Sequence, residues 1–291
     1  MDRETRQAGE AQDNLRGIAK SVVSRSQHDH TGTMFELERF ADHGVVALRG
    51  AFSVDEAAAM RSAIWRDFEQ RTDVRRHDPA TWPRGSPDFN LKSLKGHAVF
   101  DPVVRNDALR ESLDRIFGGW KPPKRLKPRL LITFPTAEPW VLPTGWHFDG
   151  SFEPPISGVR WVQVWGLLDR LEPCGGGTLL LAGSRRLVEK YSRGDLSDEQ
   201  RPGNGVNWTK FMMHYPALHP FAEGGTPEHP RRELLNECHD VDGVTVQAIE
   251  LSGDPGDLFI SHGDTFHSVA PNTARRPRLM MTGLIYPSRG A

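Results

Sequence analysis

Three polar residues of this chain could bind one metal ion. His147 and Asp149 form an HxD triplet, and His267 follows far downstream. Two imidazoles and one carboxylate on one face of an octahedron leave three positions open, an arrangement typical of non-haem Fe(II) sites. The triplet alone is weak evidence, because about one HxD is expected by chance at ordinary composition in a chain with 12 His.

The chain contains two HxD triplets, and their contexts differ. His147-Phe148-Asp149 lies between two predicted strands and has His267 downstream. Residues i and i+2 of a strand share one face, so a strand-borne HxD can present both side chains to one ion. The second triplet, which begins at His262, has no distant histidine after it. We therefore interpret His262 as a turn or supporting residue. The alternative for His147 and His267 is that both are structural histidines.

A basic residue strengthens the metal hypothesis. Arg278 stands at the start of the apolar run Leu279-Met280-Met281. A cation that begins a buried strand needs an anionic partner, since an unpaired buried charge is costly. A dicarboxylate cosubstrate would supply one, and arginine can bind a carboxylate in bidentate fashion. The alternative is a surface arginine at a strand end, within the basic cluster of Arg275, Arg276 and Arg278.

The elements around these residues indicate a mainly β fold with flanking helices. Ser53 and Glu56 fit a capping box before a helix at residues 54–70. A second helix is predicted at residues 107–117, before Gly118. Short strands separated by Gly, Pro and Asn turns favour a sandwich or jelly roll. The strands are predicted at residues 44–49, 129–134, 159–168, 178–181, 244–251, 257–261, 267–270 and 279–286.

Composition limits the class of protein. A net charge of −1 gives no sign of a nucleic-acid or acidic-membrane partner. The chain has no apolar run long enough to span a membrane, we expect no signal peptide, and the 2 Cys favour a cytoplasmic location. We expect a flexible polar tail at residues 1–33 and one catalytic jelly-roll domain at 34–291. A lid-like insert is expected at about 190–240, with Trp208, Phe211, Met212 and Met213 either contacting an apolar substrate or anchoring the insert to the core.

Four blocks, in order, resemble the phytanoyl-CoA dioxygenase family over roughly residues 35–290. These are the strand region at 40–50, the WHxD element ending at Asp149, the strand and turn at 177–185, and the block from Gly256 to Arg278 with the motif HxxxPN. The family consists of Fe(II)- and 2-oxoglutarate-dependent oxygenases with a double-stranded β-helix (jelly-roll) core. The resemblance implies that His147, Asp149 and His267 ligate iron and that Arg278 binds the distal carboxylate of 2-oxoglutarate.

The resemblance also implies further site residues, with some departures from the family pattern. Thr178 falls where the family often has a hydroxyl that contacts the cosubstrate, and Trp165 is expected to be a pocket wall, with plain core packing as the equal alternative. Val269 stands where relatives often have a serine, and the adjacent Ser268 should face the other way on a strand. Arg185 replaces the usual histidine after Gly-Ser.

The reaction that the resemblance implies is hydroxylation of an unactivated C–H bond. The near-neutral net charge and the 8 Trp favour a small, partly apolar metabolite over a polymer as the substrate. O2 is the cosubstrate, and succinate and CO2 are the coproducts. The presence of Asp149 disfavours halogenation, because related halogenases lack this carboxylate. Two alternatives stay open: a cupin-type metalloenzyme that does not use 2-oxoglutarate, and a non-catalytic jelly-roll binding module.

Overall fold

The structure is a computed structural model, which describes residues 40–84, 92–123, 127–150, 152, 156–194 and 208–288. The predicted tail at residues 1–33 lies outside the described residues, and so do residues 195–207 of the predicted insert.

Two antiparallel sheets form the centre of the described chain. The five-stranded sheet has the order β1-β7-β3-β9-β2, and the four-stranded sheet has the order β5-β6-β4-β8. The strands are β1 (Val45–Leu48), β2 (Arg129–Thr133), β3 (Val162–Leu167), β4 (Thr178–Ala182), β5 (Cys238–Val241), β6 (Val244–Glu250), β7 (Leu258–His262), β8 (His267–Val269) and β9 (Arg278–Ile285).

The helices lie outside the two sheets. They are α1 (Val54–Arg71), α2 (Asp101–Arg105), α3 (Asp107–Phe117), α4 (Ser184–Arg193), α5 (Trp208–His214) and α6 (His219–Glu223). The predicted capping box is present at the start of α1, where the Ser53 side chain accepts from the Glu56 backbone and the Glu56 side chain binds the Ser53 backbone. Helix α3 ends as predicted, with Gly118 in the left-handed region at φ 72°. Short 3-10 turns occur at Pro79–Thr81, Lys92–Leu94, Ala98–Phe100, Pro216–Leu218 and Arg232–Leu234.

Successive side chains of a strand point to opposite faces of its sheet, and the described chain has three apolar layers. In β3, Val162 and Val164 pack outward with α1 and α3, while Trp165 and Leu167 point into the space between the sheets. Helices α4, α5 and α6 cover the outer face of the four-stranded sheet, against Leu179 and other residues of β4 and β6. A strand that is buried on both faces has a nearly continuous run of apolar residues in its sequence. The architecture confirms the predicted jelly-roll core with flanking helices.

Helices α2, α4 and α6 and strand β5 were not predicted. The N-cap of helix α4 is Gly183, whose φ of 82° and lack of a side-chain cap leave no N-cap signal in the sequence. Strand β5 falls inside the stretch expected to be an insert, yet it pairs with β6 along its whole length, with Val241 opposite Val244. The described part of the expected insert therefore consists of α5, α6, two 3-10 turns and a strand of the smaller sheet.

Candidate metal centre

The two candidate histidines are joined through their backbones. His147 and His267 form an antiparallel bridge, in which the His147 N–H donates to the His267 carbonyl at 3.0 Å and the His267 N–H donates to the His147 carbonyl at 2.7 Å. Residues that exchange both hydrogen bonds stand directly opposite each other, with side chains on one face. Their imidazole centroids are accordingly 4.4 Å apart.

The second ring nitrogen of each histidine is engaged by a backbone carbonyl. Nδ1 of His147 lies 2.8 Å from the Gly145 carbonyl, and Nδ1 of His267 lies 3.3 Å from the Thr265 carbonyl. A carbonyl can only accept, so each Nδ1 carries the proton and each Nε2 keeps a free lone pair. This is the tautomer that a metal-binding histidine needs, with the other nitrogen fixing the ring orientation.

Asp149 completes the cluster from the more exposed side. Its Oδ1 lies 3.9 Å from His147 Nε2, and its Oδ2 lies 3.7 Å from His267 Nε2. One ligand atom from each of the three residues lies within 4.8 Å of the others. The structure therefore brings these three side chains together, as the sequence predicts.

The cluster favours a neutral imidazole at its buried member. Burial lowers the pKa of His267 to about 4, and the nearby His147 lowers it in the same direction, while Asp149 opposes the shift. A neutral imidazole is the form that coordinates a metal. At neutral pH His267 is therefore ready to bind an ion without first losing a proton.

Arg278 is buried between the two sheets. It is 3% exposed and begins β9 on the same face as Met280 and Thr282, which point inward. Its Nη1 donates to the Gly176 carbonyl at 2.6 Å, and its Nε has no hydrogen-bond partner among the described residues. Burial lowers the pKa of Arg278 to about 10, against a raising effect from Glu250, so the group is still positive at neutral pH. A surface position, the alternative considered for Arg278, is excluded by this burial.

A second buried polar atom without a partner lies close along the chain to Gly176, the residue whose carbonyl accepts from Arg278. Thr178, two positions after Gly176, points inward from β4, and its buried Oγ1 lacks a hydrogen-bond partner in the part of the chain that the structure describes. Val269 pairs with Thr178 and faces the same side, but it is 45% exposed. An inward-facing side chain that remains accessible marks open space beside β8. Ser268 points outward, as predicted, and donates to the Thr144 carbonyl at 2.7 Å.

The second HxD triplet belongs to a different environment. His262 Nε2 lies 3.1 Å from the Gly158 carbonyl, and its Nδ1 accepts from the Asp264 N–H at 3.1 Å. Asp264 in turn accepts from Arg160 at 2.8 Å. Arg185, in place of the usual family histidine, bonds to the Ala41 carbonyl and pairs with Glu189 at 3.3 Å. His262 is thus a satisfied buried residue at the end of β7, in agreement with the expected supporting role.

Comparison with known proteins now places the chain. The family model of phytanoyl-CoA dioxygenase (PhyH) matches residues 40–280, which include the whole cluster and Arg278. The chain belongs to the phytanoyl-CoA dioxygenase family. It is therefore a non-haem Fe(II)- and 2-oxoglutarate-dependent dioxygenase, and the cupin-type and non-catalytic alternatives lose their support. No curated protein matches the chain significantly.

Solved structures resemble this phytanoyl-CoA dioxygenase family member in fold. AviO1 from Streptomyces viridochromogenes Tue57 is 16% identical, with 92% of this chain and 98% of that one covered and a TM-score of 0.53. The epimerase SnoN in complex with Fe3+, alpha ketoglutarate and nogalamycin RO is 15% identical, with 90% and 89% covered and a TM-score of 0.51. At these identities the likeness shows the fold alone. Within the described residues, no helix combines the length and apolarity needed to cross a bilayer.

Two residues of β3 lie beside the ligands of this family member. The Trp165 ring is 5.1 Å from the His267 ring, edge-on, and its Nε1 donates to Ser261 Oγ at 2.9 Å. Trp165 is buried among the residues between the sheets, so it is core packing that also touches a candidate ligand. Gln163, which the sequence analysis did not single out, donates to Asp149 Oδ2 at 2.9 Å. The sequence does contain a signal for Gln163, because it is a polar residue within an otherwise apolar strand.

Proposed function

We propose that this dioxygenase hydroxylates an unactivated C–H bond of a small, partly apolar metabolite, with O2 as cosubstrate and succinate and CO2 as coproducts. His147, Asp149 and His267 hold the Fe(II), and Arg278 binds the distal carboxylate of 2-oxoglutarate. The convergence of three ligand atoms within 4.8 Å carries the proposal. Asp149 supplies the carboxylate that related halogenases lack, which supports oxygenation over halogenation.

The donor set fits iron. Two imidazoles with fixed tautomers and one carboxylate form the 2-His-1-carboxylate set that leaves open positions for cosubstrate and O2. When bound, iron with 2-oxoglutarate supplies the oxidation, in which O2 places one oxygen atom in the C–H bond and the other in succinate as CO2 leaves. The chain's own part is to fix the ligands, to hold the cosubstrate and to shield the reacting atoms from water.

The polar atoms between the sheets fit a carboxylate. The Arg278 guanidinium has one nitrogen without a partner among the described residues, and so has the Thr178 hydroxyl. A carboxylate there would accept from both groups and neutralise the buried charge. Glu250 is the nearby anion, but its carboxylate already accepts from the Cys174 and Gly177 N–H groups at 2.7 and 2.9 Å. This arrangement supports Arg278 as the binding residue for the distal carboxylate.

Apolar surface beside the metal ligands supports a partly apolar substrate. Leu284 of β9 is 39% exposed and stands opposite Gln163, whose side chain contacts Asp149. A groove of about 480 Å³ extends from Leu284 along the end of β9, between Trp120 and Tyr286. The metal ligands are not among the residues that line this groove, so the support for a partly apolar substrate comes from the exposed Leu284 side chain opposite Gln163.

Helix α5, in the described part of the expected lid, packs against the segments that carry the proposed metal ligands. Phe148, between two ligands, packs against Trp208 of α5 with centroids 4.1 Å apart. Phe266, just before His267, stacks on Phe211 at 4.9 Å. These contacts support an anchoring role for Trp208 and Phe211, and they support a role for Phe148 in holding the HxD segment.

The experiment is anaerobic reconstitution followed by a substrate screen. We expect purified protein loaded with Fe(II) to gain a metal-to-ligand charge-transfer absorption when 2-oxoglutarate is added, and Asp149→Ala to lack it. Candidate metabolites are then screened for succinate release with O2 present, and hits are examined by mass spectrometry. A wild-type protein without the absorption would refute the cosubstrate site. Succinate release coupled to a product that has not gained one oxygen atom would refute hydroxylation.

A further inference from the structure

Gln163 is an amide buried in the middle of an apolar strand. It lies in β3, between β7 and β9, and is 2% exposed. Burying an amide without hydrogen bonds costs about 1–3 kcal/mol by protein mutational data. An apolar residue would satisfy the packing of β3, so a glutamine here needs a reason that packing does not supply.

The hydrogen bonds around Gln163 have a fixed direction. The Val164 carbonyl can only accept, so the Thr282 hydroxyl donates to it at 2.9 Å. The Thr282 oxygen then accepts from Gln163 Nε2 at 3.1 Å. This bond identifies the amide end near Thr282 as the NH2 group, independently of the Asp149 contact. The second hydrogen of that NH2 group is left for Asp149 Oδ2, 2.9 Å away.

We infer that Gln163 is a positioning residue that fixes the Asp149 carboxylate for metal binding, an inference that rests on the proposed function. Asp149 lies in a segment without strand pairing of its own. The amide restrains rotation of the carboxylate and occupies a lone pair of one oxygen. The carboxylate would thereby be held in one orientation towards an ion bound by the three residues.

The chemistry of the amide suits this role better than a charged side chain would. A lysine or arginine would offset the negative charge with which Asp149 attracts the cation, and a glutamate would repel the carboxylate. A neutral donor orients the carboxylate without cancelling its charge. Together with Trp165, two positions along and against the His267 ring, Gln163 makes β3 a support for two ligands from one inward face.

The test compares matched substitutions at two buried glutamines. Gln163→Met removes the proposed bond. Gln247→Met is the control, because Gln247 is also buried, at 4% exposed, and donates to the Asn236 carbonyl at 2.8 Å in the other sheet. Co(II), a spectroscopic stand-in for Fe(II), is titrated into each metal-free protein, and the dissociation constant and the visible d–d spectrum are recorded. Thermal unfolding of the metal-free proteins gives the structural cost of each change.

We expect Gln163→Met to weaken Co(II) binding by about 10- to 100-fold, as for other residues that orient ligands, and to alter the d–d spectrum. Gln247→Met should change neither the dissociation constant for Co(II) nor the d–d spectrum. Both variants lose a buried hydrogen bond, so both should unfold at a lower temperature than the wild type. Thr282→Val, which frees the amide to rotate, should weaken binding in the same direction by less. This milder variant replaces Gln163→Met in the comparison if the latter does not fold.

The variant Asp149→Ala distinguishes a failure of the positioning role of Gln163 from a failure of the proposed metal site. If Asp149→Ala loses Co(II) binding while Gln163→Met and Thr282→Val bind like Gln247→Met with an unchanged spectrum, the positioning role is wrong and the metal site stands. If Asp149→Ala binds Co(II) as tightly as the wild type, the metal site of the proposed function is wrong as well.

Discussion

Replacing Arg278 with methionine should separate cosubstrate binding from stability. The guanidinium is almost fully buried, makes a hydrogen bond to the Gly176 carbonyl and leaves Nε without a partner among the described residues. Burial lowers the pKa of Arg278, which means that the fold holds this charge at a cost. Replacing a buried charge with an apolar side chain of similar length is often neutral or stabilising.

The loss of Arg278 also affects Glu250. Burial raises the pKa of Glu250, and the positive charge of Arg278 is one of the influences that lower it. The Glu250 carboxylate still accepts N–H bonds from Cys174 and Gly177 in the variant. We therefore expect the free energy of unfolding of metal-free Arg278→Met at neutral pH to fall by no more than about 1 kcal/mol, the value of an ordinary hydrogen bond.

The effect on 2-oxoglutarate should be much larger. Removing one partner of a desolvated, charge-assisted pair costs about 2–5 kcal/mol, which corresponds to about 30- to 5,000-fold weaker binding at about 1.4 kcal/mol per factor of ten. The assay is anaerobic titration of the Fe(II)-loaded protein with 2-oxoglutarate, followed by charge-transfer absorption, beside urea unfolding of the metal-free protein. Arg276→Met is the control, since it removes the same charge from an exposed position.

Two results would contradict this reasoning. A dissociation constant for 2-oxoglutarate equal to that of Arg276→Met would show that Arg278 does not bind the cosubstrate. A loss of several kcal/mol in the free energy of unfolding would show that Arg278 is mainly a structural partner of Glu250.

The remaining predictions concern the ligands and the stability of the fold. Asp149→Ala and His267→Ala should each abolish the charge-transfer absorption while far-ultraviolet circular dichroism stays unchanged; an absorption retained in either variant would remove that residue from the ligand set. Burial, with a contribution from Arg185, lowers the pKa of His262 to about 4, so the unfolded chain binds this proton more tightly than the fold does. The corresponding stability is present above about pH 6.5, and about 3 kcal/mol is lost as pH falls towards 4. Denaturation of metal-free His262→Gln across that range should show a shallower decline than the wild type, and an equal slope would count against the assignment. Ser53→Ala should lower the free energy of unfolding by about 1 kcal/mol through loss of the capping box, and a value near zero in urea unfolding would mean that the cap is dispensable.

Elements with local signals were predictable from the sequence. Helix α1 follows from the capping box at Ser53 and the apolar spacing after it, and its predicted end differs from the observed Arg71 by one residue. The strands other than β5 were also predicted, because apolar runs between turn residues are a local property. Helix α4 was missed, since its N-cap is Gly183 and its apolar side chains, such as Leu187 and Tyr191, stand among charged residues.

Strand β5 shows a signal that the sequence analysis overlooked. Asp242 and Gly243 have φ of 54° and 76° and join β5 to β6 as a two-residue turn. An Asp-Gly pair between strands is among the strongest hairpin signals, because both positions accept positive φ. The residues of β5 itself, Cys238–Val241, carry little apolar character. The Asp-Gly turn is therefore the local signal that could have placed β5 beside β6.

The metal centre depends on register as well as on residue type. Sequence motifs identified His147 and His267, but their rings meet because one backbone bridge sets the two residues opposite each other. A slip of one residue in that pairing would turn one imidazole to the far side of the strand. Asp149 lies beyond the bridge, so the same pairing cannot fix its carboxylate. A side chain from a neighbouring strand must do so, and in this fold Gln163 is in reach. The residue that completes the site is therefore set by which strands are neighbours, a fact of topology that spacing along the chain does not contain.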